Sequence, residues 1–142
     1  MARIIVIDDD EQIRDMLRLM LERAGYNVTT ATNGDEGLKL QEKEKADLVI
    51  TDILMPVQEG IGTIYELRHN YPEVKIIAIS GGGGYGTPSH YVDMAKKIGA
   101  HRVFMKPFDT QQMLDTIGEL LRKVEIVRIS GDVFKGIQPY DP

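Results

Sequence analysis

Short apolar runs alternate with longer amphipathic stretches along the whole chain. Ile4 to Ile7 is a continuous β-branched run, which is typical of a strand that is covered on both faces. Apolar residues then recur at helical spacing from Ile13 to Ala24, with Asp10 placed to cap this helix and Gly25 to end it. The same alternation predicts further strands over 27–31, 47–51, 75–80 and 102–106, and further helices over 34–44, 60–69, 88–98 and 109–124.

Five strand–helix units in strict alternation favour an α/β fold with an open, doubly wound parallel sheet. Right-handed crossovers would then place helices on both faces of the sheet. Ligands of such sheets bind beyond the carboxyl ends of the strands, near the point where the strand order reverses. The residues that directly follow each predicted strand are therefore the candidates for a functional site.

Composition limits the class of protein. The chain has 142 residues, which is enough for one domain with a proper core but too few for a second of ordinary size. A net charge of -5 argues against direct nucleic-acid binding, and the lack of cysteine excludes disulfides and thiol chemistry. Because no apolar run approaches the roughly 20 residues of a membrane span, we expect a cytoplasmic protein without membrane insertion.

Polar residues follow four of the predicted strands. Asp8 and Asp9 come after the first strand, Asp52 ends the third, Ser80 ends the fourth and Lys106 ends the fifth. Each residue alone has an ordinary explanation: aspartates after strands often cap helices, and serine and lysine are common at exposed turns. Together they would place carboxylates from two strands, a hydroxyl from a third and an amine from a fourth at one edge of the sheet.

These groups suit phosphoryl chemistry. Clustered carboxylates raise one another's pKa unless a cation neutralises them, and an all-oxygen cluster suits Mg²⁺. A carboxylate can also accept a phosphoryl group as an acyl phosphate. The amine, the hydroxyl and the metal would supply the charge neutralisation that such a transfer needs.

The four segments together resemble the receiver domain of bacterial two-component response regulators. They are the run from Ile4 to Asp10, the segment from Asp52 to Pro56 with Gly60, the strand ending at Ser80, and Lys106-Pro107-Phe108. The resemblance covers residues 3 to about 124 and implies a flavodoxin-like sheet of five parallel strands in the order 2-1-3-4-5.

The resemblance also implies the roles of individual residues. Asp52 would be the phosphoacceptor, Asp8 and Asp9 would hold Mg²⁺ together with Asp52, and Leu54 would add its backbone carbonyl. Ser80 would hydrogen-bond a phosphoryl oxygen, and Lys106 would pair with the phosphoryl charge. The Lys106–Pro107 bond is commonly cis in the family. A sensor histidine kinase or phosphotransfer protein would donate the phosphoryl group.

Three features depart from the family pattern. Val103 stands where receivers often place a switch aromatic, with Phe104 beside it on the opposite face of the strand. Neither Leu54 nor Gly82 can position a hydrolytic water, which leads us to expect slow autodephosphorylation. The segment from Gly81 to Gly86 contains a formal GxGxxG, but it follows the fourth strand rather than the first and is better explained as a long, mobile loop.

Two other functions are compatible with parts of the pattern. The run from Asp8 to Asp10 partly matches the DxDx[TV] nucleophile motif of haloacid-dehalogenase-type phosphatases, with Asp8 as nucleophile. However, Gln12 stands where threonine or valine is expected, and Asp52 would have no role. A pseudo-receiver, which binds a partner without accepting phosphate, is the non-catalytic alternative. The three histidines match no metal or catalytic spacing and are expected at the surface.

Residues 1–124 are expected to form the receiver domain. Residues 125–142 would be a short tail that forms a hairpin with Gly131-Asp132 as its turn, serves as a linker, or is the cut end of a longer chain. A tail of this length is too short for a helix-turn-helix output module. We therefore expect a stand-alone receiver, a signalling phosphoacceptor rather than a metabolic enzyme. Its signal would pass by contact with a downstream protein that is still unknown, and homodimers are compatible with this arrangement.

Overall fold

A computed structural model describes residues 1–53, 57–81, 89–129 and 132–138, with the backbone alone in 57–59, 123–129 and 132–138. Five parallel strands form one sheet in the order β2-β1-β3-β4-β5, as expected. The strands are β1 Arg3–Ile7, β2 Asn27–Ala31, β3 Leu48–Asp52, β4 Lys75–Ser80 and β5 Arg102–Met105. The helices between and after them are α1 Glu11–Arg23, α2 Gly34–Lys43, α3 Val57–Asn70, α4 Ser89–Ile98 and α5 Thr110–Leu120.

The two faces of the sheet bury separate apolar clusters because neighbouring side chains of each strand point to opposite faces. In β1, Ile5 and Ile7 face one cluster while Ile4 and Val6 face the other. The first cluster is closed by side chains of α3 and α4, namely Ile64, Leu67 and Ala95. The second is closed by side chains of α1 and α5, namely Leu17, Leu21, Met113 and Ile117.

The ends of α1 match their sequence signals. The carboxylate of Asp10 accepts a hydrogen bond from the backbone N–H of Gln12 at 2.9 Å, which caps the helix as expected. Gly25 has a positive φ of 99°, and the backbone N–H of Tyr26 donates to the carbonyl of Leu21. This left-handed glycine closes the helix and turns the chain into β2.

The last helix is shorter than the sequence pattern predicts. It ends at Leu120 rather than near Val124, and the chain enters strand β6, Lys123–Ile129. This strand pairs antiparallel with β7, Asp132–Gln138, with Ile129 opposite Asp132. The pairing is that of a hairpin, but Asp132, predicted in its turn, lies in β7, and Gly131 lies outside the described residues.

His101 differs from the surface histidine that we expected. It is half-buried, and its ring Nδ1 accepts a hydrogen bond from the backbone N–H of Ile76 at 3.0 Å. In return, the backbone N–H of His101 donates to the carbonyl of Ile76 at 2.7 Å. Burial, followed by the charges of Lys75, Arg68 and Arg102, lowers the pKa of His101 below its ordinary value of 6.5. The neutral ring therefore joins the beginning of β5 to β4.

The His101 side chain predicts a pH-dependent stability. Because its pKa is lower in the folded than in the unfolded chain, its contribution is complete above pH 6.5 and is lost as the pH falls below this value. His101→Gln should therefore lower the free energy of unfolding by about 1 kcal/mol at pH 7.5 and flatten its decrease between pH 7 and 5. Urea titrations at several pH values measure both effects, with the exposed His90→Gln as control. An unchanged pH slope in His101→Gln would contradict this assignment.

No helix within the described part of the chain has the length and apolar character that a bilayer crossing requires.

Candidate functional site

Three carboxylates meet where β1 and β3 end. These strands are neighbours in the sheet, so Asp8, which follows β1, lies beside Asp52, the last residue of β3. Asp8, Asp9 and Asp52 each offer one carboxylate oxygen, and these oxygens lie within 4.8 Å of one another. Asp8 and Asp52 are buried, whereas Asp9 is exposed. The cluster is therefore open to solvent on the side of Asp9.

Lys106 reaches this cluster from the far edge of the sheet. Its Nζ donates to Oδ2 of Asp8 at 3.1 Å and to Oδ2 of Asp52 at 3.0 Å. Burial opposes the charged form, but the hydrogen bonds and charges of Asp52 and Asp8 outweigh it and raise the pKa of Lys106. The lysine is therefore a permanent cation that partly neutralises the two buried carboxylates.

Every polar group of Asp8 has a partner. Oδ1 of Asp8 accepts a hydrogen bond from the backbone N–H of Asp10 at 2.8 Å, and the backbone carbonyl of Asp8 accepts one from Nη1 of Arg14 at 2.7 Å. Burial, and secondarily the charge of Asp52, raises the pKa of Asp8 to about 6. The Asp10 N–H and Lys106 act in the opposite direction and limit this rise. Asp8 is thus held in one orientation, and its burial beside Asp52 is electrostatically unfavourable. An added cation would reduce this unfavourable energy.

Ser80 provides an unusual buried hydroxyl. It ends β4, the strand next to β3, and is fully buried. Its Oγ has no hydrogen-bond partner among the residues that the structure describes. A buried hydroxyl without a partner is unfavourable, which suggests that a ligand supplies the missing one. The backbone N–H of Lys106 donates to the Ser80 carbonyl at 2.8 Å, so the serine and the lysine are held together.

Helix α3 approaches the backbone of Asp52 very closely at Gly60. A Cβ atom added at Gly60 would lie 2.8 Å from the carbonyl oxygens of both Asp52 and Ile53, and 2.9 Å from the Cα of Ile53. Real Cβ atoms essentially never make contacts this short. Glycine at this position therefore lets α3 pack directly against the end of β3.

The structure brings together Asp8, Asp9, Asp52 and Lys106, and it places Ser80 at the end of the adjacent strand. The Lys106–Pro107 bond is cis, as the family resemblance implied. Leu54, the expected carbonyl ligand, lies outside the described residues, and so do Gly82 and most of the glycine-rich loop. The predictions of slow autodephosphorylation and of a mobile loop therefore stay predictions.

Val103, at the switch position, and its neighbour Phe104 pack on opposite faces of the sheet. Val103 packs against the cluster that α3 and α4 close, together with Tyr91 of α4. Phe104 packs against the other cluster, edge-on to Phe108, with 6.4 Å between the ring centroids. The structure thus agrees with the expectation that the aromatic lies on the face opposite Val103.

The arrangement fits a hard divalent cation and a phosphoryl group. The three carboxylates offer oxygen ligands alone, which Mg²⁺ prefers, and the exposed Asp9 leaves room for water ligands. The unpartnered hydroxyl of Ser80 and the ammonium of Lys106 are suitable partners for phosphoryl oxygens.

Relatives of known description support the same conclusion. The chain is 32% identical over 133 residues to the alkaline phosphatase synthesis transcriptional regulatory protein PhoP of Bacillus subtilis, covering 92% of this chain and 53% of that protein. Among solved structures, the chemotaxis protein CheY4 of Vibrio cholerae matches with a TM-score of 0.76 and 31% identity, covering 85% of this chain and 99% of that one. A CheY-like receiver domain protein of Methanospirillum hungatei gives a TM-score of 0.75 and 30% identity, with coverages of 84% and 92%.

The curated relatives are longer than this chain. The chain spans about half the length of the curated relatives it matches, which are transcriptional regulators such as PhoP. The haloacid-dehalogenase alternative is wrong, since both the matching sequences and the matching folds are those of receivers. The family model for the response regulator receiver domain matches residues 4–118, and the chain therefore belongs to this family of two-component signalling proteins.

Proposed function

We propose that this receiver domain accepts a phosphoryl group on Asp52 and that the phosphorylated form signals by protein contact. The observation that carries the proposal is the pair of hydrogen bonds from Lys106 to Asp8 and Asp52, beside the exposed Asp9. In this arrangement Asp52 is next to a fixed cation and at the edge of a three-carboxylate cluster. A constitutive interaction domain would have no need for such an unfavourable concentration of charge.

The phosphoryl donor would be the phosphohistidine of a sensor histidine kinase or a phosphotransfer protein. A carboxylate oxygen of Asp52 attacks phosphorus, the new P–O bond forms as the P–N bond breaks, and the imidazole leaves with its electron pair. Lys106 neutralises charge on the phosphoryl oxygens, and the hydroxyl of Ser80 donates to one of them. The product is an aspartyl phosphate on Asp52.

Mg²⁺ would be held by Asp8, Asp9 and Asp52, and by the backbone carbonyl of Leu54, which lies outside the described residues. The cation supplies additional neutralisation of negative charge during phosphoryl transfer. As the family resemblance implies, Asp9 would be the direct ligand and Asp8 would contact the cation largely through water, with which the bonds of Asp8 to Asp10 and Lys106 are compatible. Protonation of Asp8, whose pKa is raised to about 6, would weaken metal binding in mildly acidic solution.

Phosphorylation by a small donor tests this proposal without the kinase. Wild-type protein incubated with acetyl phosphate and Mg²⁺ should gain the mass of one phosphoryl group, measured by intact-protein mass spectrometry. Asp52→Ala should show no gain, while Asp93→Ala, which removes an exposed aspartate of α4, should behave like the wild type. No gain in the wild type, or an equal gain in Asp52→Ala, would instead favour a pseudo-receiver or a different acceptor.

A stand-alone organisation of the protein, with residues 125–142 as a short tail, stays a prediction, as does slow autodephosphorylation. Homodimers are compatible with both.

A further inference from the structure

Arg14 joins helix α1 to the loop that carries the acidic cluster. Its Nη1 donates to the backbone carbonyl of Asp8 at 2.7 Å, a short, charge-assisted hydrogen bond. Its own backbone N–H donates to the carbonyl of Asp10 at 3.0 Å, in the first turn of α1. The second bond is the ordinary backbone bond of the first helical turn, so it is the guanidinium that joins α1 to the residue after β1.

The carbonyl that Arg14 holds belongs to the peptide unit between Asp8 and Asp9. Because a peptide unit is planar, fixing the direction of its carbonyl also fixes where the N and Cα atoms of the next residue, Asp9, lie. Asp9 is exposed, unlike the buried Asp8 and Asp52, so packing restrains its position least among the three carboxylates. The hydrogen bond from Arg14 therefore helps to orient the backbone from which Asp9 projects, together with the bond from the Asp10 N–H to Oδ1 of Asp8.

We propose that Arg14 is a positioning residue for the cation site, setting the place of Asp9 through the carbonyl of Asp8. The inference rests on the proposed function, in which Asp9 is the direct ligand. Among the described residues, the Arg14 side chain donates its hydrogen bond to the backbone carbonyl of Asp8 and not to any of the three carboxylates. It therefore acts on the site through the backbone. Residues that orient ligands in this way commonly change metal affinity by about 10- to 100-fold when they are removed.

The direction in which Mg²⁺ affinity changes when Arg14 is removed distinguishes a positioning role from an effect of its charge. Removing a positive charge near three carboxylates should by itself tighten the binding of a cation, because it removes electrostatic repulsion. Losing the orientation of Asp9 should instead weaken it. A weaker affinity after loss of Arg14 therefore cannot come from its charge.

The experiment is a calorimetric titration of the unphosphorylated full chain with MgCl₂. We expect Arg14→Met, which keeps the helix propensity and the apolar stem, to bind Mg²⁺ about 10-fold more weakly than the wild type. Arg14→Lys keeps a charged donor without the planar guanidinium and should fall between the two. It also provides the comparison if Arg14→Met does not fold, as judged by its thermal transition.

Arg18→Met is the matched control. Arg18 lies one turn further along α1, is exposed, and pairs only at the surface with Asp15 and Glu22, at 3.6 and 3.7 Å. The substitution Arg18→Met removes the same charge from the same helix, and the variant should bind Mg²⁺ as tightly as the wild type or slightly more tightly. If Arg14→Met binds within about threefold of Arg18→Met, the positioning role is wrong. If the wild type neither binds Mg²⁺ nor accepts phosphate, the proposed function fails as well.

Discussion

Replacing Lys106 with methionine is expected to slow phosphorylation of Asp52 by about 100- to 1000-fold, the usual effect of losing one preorganised charge-stabilising group. The ammonium of Lys106 donates a hydrogen bond to the carboxylate of Asp52 at 3.0 Å. Without this cation, the incoming phosphoryl oxygens would face carboxylates whose negative charge is less well compensated. The rate is measured by mass spectrometry over time with acetyl phosphate and Mg²⁺ in excess.

The affinity for Mg²⁺ distinguishes loss of the Lys106 charge from a general disruption of the site. The ammonium of Lys106 and the metal compete for the same carboxylates, so Lys106→Met should bind Mg²⁺ at least as tightly as the wild type. The pKa of Asp8 should also rise further above about 6, because Lys106 is one of the groups that lower it. Lys97→Met, on an exposed face of α4, is the matched control. A phosphorylation rate in Lys106→Met close to that of Lys97→Met would contradict the assigned role.

The fold was predictable because two hydrophobic periods alternate cleanly along the chain. The bounds of β2 and β4 agree with the prediction, since each run is delimited by polar or turn-forming residues. The end of α5 was wrong because Leu120, Leu121 and Val124 continue the helical spacing of apolar residues. Val124 instead lies in β6, Lys123–Ile129, where Ile126, Val127 and Ile129 are also β-branched, so local strand preference prevailed over the helical periodicity.

The chemistry-bearing residues were predictable for a different reason. In a parallel sheet the carboxyl ends of all strands lie at one edge, so residues far apart in sequence, such as Asp8 and Lys106, can be paired by topology alone. The residues that support them were missed. Arg14 and His101 each bond a backbone group, and a backbone partner leaves no signal in the side-chain pattern. Finding them requires the geometry of the folded chain.

Gly60 was predictable as a motif residue, but its physical role comes only from the structure. Gly60→Ala is expected to lower the free energy of unfolding by about 1–3 kcal/mol, because the added methyl group meets backbone atoms of Asp52 and Ile53. Backbone atoms cannot rotate away as a side chain can, so either α3 or the end of β3 must move. Displacing Asp52 by as little as about 1 Å should also slow its phosphorylation about 100-fold. Urea denaturation and the phosphorylation time course measure the two effects.

Gly62→Ala separates this contact from the general effect of placing alanine in a helix. Gly62 lies in the same helix, is exposed, and a Cβ added there meets no atom within 4 Å. Alanine favours helix over glycine by about 0.8–1 kcal/mol, so Gly62→Ala should stabilise the protein and leave phosphorylation unchanged. The two substitutions are chemically identical and two residues apart, yet we expect opposite signs of the change in stability. If both stabilise the protein, the close approach of α3 to Asp52 is not a constraint on this fold.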